Sequence, residues 1–268
     1  MTTSSVRSKD GTVISYKTIG KGPALIVIPG ALAMAEDFTG LATELAKSLT
    51  VHIVERRGRG ESGPQGDDYS IVKECEDIYA LQAKTGAQYL FGHSFGGFVA
   101  LEAARNNKNV TKLVVYEPGV SINGAISVDW TGECQRAFDQ QRYLDAFISF
   151  VRGINPDTTG KAPKWLLKLI LPLAIKKADR EQKYKLLPAT IREHTEEVRL
   201  NDTYSHYSEI SSDVLLLSGK LSGVTAHAAD KLATILPNVI FKRFSKMDHF
   251  GPEKHPKEIA MTITQFLG

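Results

Sequence analysis

Cysteine is scarce in this chain. Only Cys75 and Cys134 occur in 268 residues, too few for a disulfide framework and without metal-ligand spacing, which fits a reducing compartment. No uncharged apolar run reaches the roughly eighteen residues that span a bilayer, and the first ten residues lack the apolar core of a signal peptide. A soluble, cytoplasmic protein with no integral membrane segment is therefore expected. Neither sign of charge is in excess: 33 Lys and Arg stand against 30 Asp and Glu, spread along the chain. With no basic stripe to follow a phosphate backbone, nucleic acid is not expected as a partner. Glycine (22) and proline (11) are near ordinary usage and show no period, which argues against collagen-like and repeat architectures. What is present is 42% hydrophobic residues, enough for one large domain or a domain with an insertion.

Short apolar runs alternate with helical patterns. Ser4 to Lys9 and Thr12 to Thr18 flank Asp10-Gly11, a dipeptide suited to a tight hairpin turn. Strands are expected at Ala24 to Ile28, Val51 to Val54, Gln88 to Phe91 and Lys112 to Tyr116. Between them lie helical patterns over Asp37 to Leu49, around Ile71, Cys75, Ile78 and Leu81, and over Phe95 to Asn106. Such βαβα order implies a mostly parallel sheet with helices on both faces. From Val120 to Ile210 the strand signals vanish, and the stretch reads as an inserted helical unit. Alternation resumes with a strand at Val214 to Leu217, a helix over Ala228 to Leu236, a strand at Val239 to Phe244 and a helix over Pro256 to Leu267. The expected organisation is an α/β core over 1–119 and 211–268 with a helical lid over 120–210, since domain-scale insertions are tolerated at surface loops.

Chemistry concentrates at Gly92-His93-Ser94-Phe95-Gly96. In a strand-turn-helix context, the G-x-S-x-G spacing puts Ser94 on a sharp turn, where small residues two before and two after admit neighbouring backbone. A serine needs a general base. His249 follows the last strand and precedes the last helix, which places it on a loop at the carboxyl edge of the sheet, beside Ser94. His255 precedes a proline at a helix start and reads as a cap or surface residue, and His93 as support for the turn. His52, His194, His206 and His227 have no such placement. Acyl transfer also needs oxyanion donors, worth on the order of 3 kcal/mol each. The backbone N–H of Phe95 supplies one, and the turn Pro29-Gly30-Ala31 makes Ala31 the candidate for the other.

These segments, with Glu55 to Ser62 and His249 to Pro252, make the chain resemble the α/β-hydrolase fold superfamily across the whole core but not the lid. The resemblance implies a Ser, His, acid triad and hydrolysis of an ester, thioester, amide or lactone; the expected substrates are small or medium, largely apolar carboxylic esters, thioesters or lactones, with no cofactor or metal. A non-catalytic ligand-binding or signalling module, and a cofactor-free peroxidase or lyase, use the same shell. Two departures stand out. Pro29-Gly30 replaces the His-Gly that often precedes the oxyanion residue, removing a hydrogen bond that stiffens that turn. Where the family's acid usually lies, the chain reads Ser218 to Val224, with Ser222 in the expected place of Asp. The family's other location, at the end of the strand after the nucleophile helix, holds Glu117, the expected acid. Asp248 adjoins His249 and should point away from it, and Asp230 belongs to the following helix.

Three further features have plainer readings. Arg56, Arg57 and Arg59 lack a phosphate-binding signature and read as a structural turn. The apolar run Trp165 to Lys177, with basic margins and Pro172 inside, reads as a lid helix packed on the core in preference to a lipid-touching one. Tyr204, His206 and Tyr207 read as packing residues.

Overall fold

Runs rich in Val, Ile and Leu suit strands buried on both faces of a parallel sheet. The computed structural model, which describes residues 1–222 and 224–268, places them so. Its strands are β1 (Thr2–Arg7), β2 (Val13–Gly20), β3 (Ala24–Ile28), β4 (Thr50–Val54), β5 (Tyr89–His93), β6 (Lys112–Tyr116), β7 (Asp213–Gly219) and β8 (Val239–Phe244). They form one eight-stranded sheet in the order β1-β2-β4-β3-β5-β6-β7-β8. The hairpin β1–β2 turns at Asp10-Gly11, where Gly11 has φ +87° and the Asp10 carboxylate accepts the Thr12 N–H at 2.9 Å. This hairpin is antiparallel, as is the β2–β4 pairing, and every later pairing is parallel. The edge strand β1 is nearly all polar and exposed, which discourages pairing with a second chain.

The helices that flank the sheet are α1 (Thr39–Leu45), α2 (Ile71–Thr85) and α3 (Phe95–Ala104), and, after the insertion, α9 (Val224–Ala233), α10 (Gly251–Lys254) and α11 (Pro256–Leu267). All ten residues of α3 are buried, because it packs between the sheet, α2 and the inserted helices. The expected helix over Asp37 to Leu49 is shorter: a 3-10 turn over Ala35–Phe38 leads into α1, which ends at Leu45. Likewise α3 stops before Asn106, and α9 begins earlier than Ala228.

Between β6 and β7 the chain forms α4 (Thr131–Asp139), α5 (Tyr143–Ile154), α6 (Lys164–Ala174), α7 (Lys177–Lys185) and α8 (Leu187–Arg199). These helices have their own apolar cluster, built on Trp130, Cys134, Phe147, Phe150 and Leu187, which also takes in Leu32 and Met34 of the core. The packed-helix expectation for 165–177 needs correction. In α6 only Leu167 is buried, while Trp165, Leu169, Ile170 and Leu173 are exposed. An apolar stripe in sequence identifies a face but not what covers it. No helix among the described residues is long and apolar enough to cross a membrane.

Candidate active site

The pairings Ile28↔Gly92, His93↔Tyr116 and Tyr116↔Leu217 align the carboxyl ends of β3, β5, β6 and β7 at one edge. The residues just past those ends therefore meet, which is where open α/β sheets bind ligands. Ser94 follows β5 in a strained conformation, φ 53° and ψ −124°, outside the regions that non-glycine residues favour. Close approach around it explains the glycines: a side-chain carbon at Gly92 would collide with the Gly96 carbonyl, and one at Gly96 with that of Ile28. The Ser94 carbonyl accepts N–H bonds from Gly97 (2.8 Å), Phe98 (3.1 Å) and Gly119 (2.9 Å), so the backbone holds the turn. Its hydroxyl makes no capping bond to α3.

Glu117 lies one residue past β6, wholly buried and with φ 44°. Its Oε2 accepts from His249 Nδ1 at 2.8 Å. Its Oε1 accepts the Gly219 N–H at 2.7 Å and the Ser218 hydroxyl at 3.1 Å. Because a carboxylate only accepts, Nδ1 of His249 carries the proton and a neutral ring keeps its Nε2 lone pair bare. Burial by itself would raise the Glu117 pKa. The hydrogen bond and charge of His249, the Ser222 hydroxyl and the Gly219 N–H outweigh it and lower the value to about 2, against an ordinary 4.5. A lowered carboxylate pKa contributes stability that is complete above the unfolded value and is lost as pH falls through the folded one. Wild type is therefore expected to exceed Glu117→Gln in stability by about 3 kcal/mol above pH 5. That gap should close between pH 5 and pH 2 in urea titrations, and a gap constant over that window would contradict the assignment.

His249 sits on the loop between β8 and α10. Its carbonyl accepts from His93 Nε2 at 2.7 Å, and the two rings are 4.8 Å apart. His93, expected to support the serine turn, thus supports the histidine loop. Burial and the neighbouring charge of His249 push its own pKa down to about 3. Ser94 and His249 are brought to the same edge but are not hydrogen-bonded to each other. Catalytic contacts of this kind often tighten only once substrate is bound.

The other acids and histidines are engaged elsewhere. The Asp248 carboxylate accepts from Lys254 Nζ (2.5 Å) and the Phe250 N–H (2.9 Å), and Asp230 pairs with Arg243. Ser222, in the place of the usual acid, lies close enough to Glu117 to help lower its pKa. His255 is exposed at the start of α11. His52 bonds Thr18, His206 and Tyr207 bond Glu102, and His194, half-buried on α8, bonds the Thr190 carbonyl. The side chain of His227 lies outside the described residues.

The oxyanion candidates flank the serine. Phe95 opens α3, where the first N–H groups have no intrahelical acceptor and the helix dipole is positive. The Pro29-Gly30-Ala31 turn runs alongside: the place of a Cβ at Gly30 is 3.0 Å from Ser94 Cβ. In place of the missing histidine, Arg56 stiffens this turn, donating to the Pro29 (3.4 Å) and Gly30 (3.3 Å) carbonyls and lying 4.5 Å over the Phe95 ring.

Arg56, Arg57 and Arg59 are fully buried with carboxylate partners, which leaves none of them facing a phosphate. Arg56 meets Glu74 of α2 (2.7 Å) and Glu193 of α8 (2.9 Å), Arg59 meets Glu193 (2.7 Å), and Arg57 meets Asp77 (2.7 Å) and Asp10 (3.0 Å). The inserted helices are thereby keyed to the core through buried charge. Sequence reasoning passed over Glu193 and Glu197, although their spacing with Thr190 marks one face of α8. Arg56→Ala would take the buried Glu74 from its arginine and leave Glu193 to Arg59 alone, a loss on the order of 3–5 kcal/mol. Urea unfolding should show it as a lower midpoint; a midpoint equal to wild type would mean that water or a rearranged arginine replaces the pair.

The model of the alpha/beta hydrolase family matches residues 25–262. The chain therefore belongs to the alpha/beta hydrolase family, and by that membership it is classed as a hydrolase. It is 35% identical over 144 residues to N-formylmaleamate deformylase of Pseudomonas putida, covering 52% of this chain and 50% of that relative. It is 23% identical over 265 residues to pimeloyl-[acyl-carrier protein] methyl ester esterase of Proteus mirabilis, covering 92% and 94%. Among solved structures, an alpha/beta hydrolase from Sphaerobacter thermophilus superposes with a TM-score of 0.82 at 26% identity, over 99% of this chain and 100% of that one.

Proposed function

We propose that the chain is a serine hydrolase of small or medium, largely apolar carboxylic esters, thioesters or lactones. It works through Ser94, His249 and Glu117, with Ala31 and Phe95 as oxyanion donors. The observation that carries this reading is the 2.8 Å bond from His249 Nδ1 to a buried Glu117, at the sheet edge that holds the strained Ser94. An esterase and a deformylase among its relatives support acyl transfer.

In the proposed reaction, Ser94 Oγ attacks the acyl carbonyl while His249 Nε2 takes its proton. Negative charge on the carbonyl oxygen is met by the N–H groups of Phe95 and Ala31. His249 then protonates the leaving oxygen or sulfur as the bond to carbon breaks, giving an acyl-Ser94 ester. Water, deprotonated by His249, cleaves that ester and restores the serine. Glu117 stabilises the imidazolium formed in both halves. Nucleophile and base are side chains, so this chemistry calls for no metal or organic cofactor. Residues 120–210 serve as the lid over a core of 1–119 and 211–268, and the two buried free cysteines fit a cytoplasmic location.

A fluorophosphonate tests the reading. Intact wild type should gain the mass of one phosphonyl group, mapped to Ser94, and Ser94→Ala should gain none. An unlabelled wild type that also leaves p-nitrophenyl acetate untouched would favour a ligand-binding module on the same fold.

A further inference from the structure

Beside the nucleophile lies a carboxyl group for which the reaction above has no use. Glu197 of α8 is 3% exposed, and its Oε2 has no hydrogen-bond partner among the described residues. The other oxygen, Oε1, abuts Gly119: a side-chain carbon on that glycine would collide with Oε1 and stand 3.4 Å from the Phe95 backbone nitrogen. Gly119 in turn donates its N–H to the Ser94 carbonyl at 2.9 Å. Glu197 thus packs on the glycine that holds the Ser94 carbonyl, next to the Phe95 backbone nitrogen.

Three groups set its charge. Glu193 lies one turn earlier on the same helix, Arg56 comes from the loop after β4, and His194 Nε2 stands 3.8 Å from Oε2. Arg56 is already matched by Glu74 and Glu193, and burial lowers the pKa of His194, which favours its neutral form. Burial first, and then the charge of Glu193, raise Glu197 well above the carboxylate range against the pull of Arg56. An un-ionised carboxyl keeps one O–H donor. A buried polar group without a partner is costly, and an apolar side chain of the same size would avoid that cost.

We propose that Glu197 is a specificity residue of the acyl site, donating its carboxyl O–H to an acceptor oxygen carried by the acyl chain close to the scissile carbonyl. This rests on the serine hydrolase reading and narrows it. The substrates are short acyl groups bearing an ether, keto or carboxylate oxygen. A site built to hydrogen-bond such an oxygen rejects the analogue lacking it, because its own polar group is then left unpaired.

The test pairs p-nitrophenyl methoxyacetate with p-nitrophenyl butyrate, which differ by an oxygen in place of a methylene. Each kcat/KM is divided by the rate of the same ester with hydroxide, to remove intrinsic reactivity. The corrected ratio should favour methoxyacetate by about tenfold in wild type, as one hydrogen bond allows. Glu197→Gln, whose amide still donates, should keep that preference, and Glu197→Met should bring the ratio close to one. Unfolding midpoints of all three proteins check that the fold is retained. Turnover of both esters with the same ratio in wild type and Glu197→Met removes this inference alone, as does a Glu197→Gln ratio no better than that of Glu197→Met. Wild-type turnover of both esters no faster than Ser94→Ala removes the hydrolase reading, and this inference with it.

Discussion

Ser94→Ala is expected to lower kcat/KM for p-nitrophenyl esters about a thousandfold or more, with the unfolding midpoint unchanged. The change deletes one half-buried hydroxyl that makes no capping bond to α3, while the strained turn is held by backbone bonds to its carbonyl from Gly97, Phe98 and Gly119. Alanine meets the same φ of 53° with no larger side chain, so the elbow has no new reason to relax. Residual rate would come from the oxyanion donors and substrate binding, which the substitution leaves in place. Equal activity in two equally stable proteins would remove Ser94 as nucleophile.

Glu117→Gln should cut kcat at least a hundredfold and leave KM for small esters nearly as it was. The amide oxygen can still accept from Gly219 and Ser218, so the buried position stays filled and bonded. Its NH2, facing His249 Nδ1, prefers to donate, which moves the ring proton to Nε2 and turns the base toward Ser94 in the wrong tautomer. Ser222 lies close enough to Glu117 to help lower its pKa. A carboxylate placed there by Ser222→Asp should therefore reach the same ring and return part of the rate in the double variant. Unchanged turnover in Glu117→Gln would take the acid role from Glu117, and a double variant no faster than the single one would show that Ser222 is not within reach of His249.

The α/β alternation was legible because its physics is local. Each apolar run of β3 to β7 must be covered on both faces, and helical spacing between the runs supplies the cover. The strained turn at Ser94 was legible for a similar reason, since two glycines flank a serine between strand and helix. The acid was less so. Ser222 and Glu117 occupy two sequence positions near one point in space, and the β6–β7 register brings Glu117 beside Gly219 and His249.

Other features have no local signature at all. In α8 the burial of Glu193 depends on Arg56 and Arg59, more than a hundred residues earlier in the chain. The Arg56 bonds to Pro29 and Gly30, which replace a missing histidine contact, depend likewise on how a loop lies across its neighbour. By itself the sequence determined the α/β alternation, the glycine-flanked turn at Ser94 and the loop that carries His249, since strand pattern and turn chemistry act over a few residues. Tertiary structure alone decided which carboxylate meets His249, which charges are buried together and where Glu197 points. A charged side chain enters the interior only where distant partners offset the loss of water.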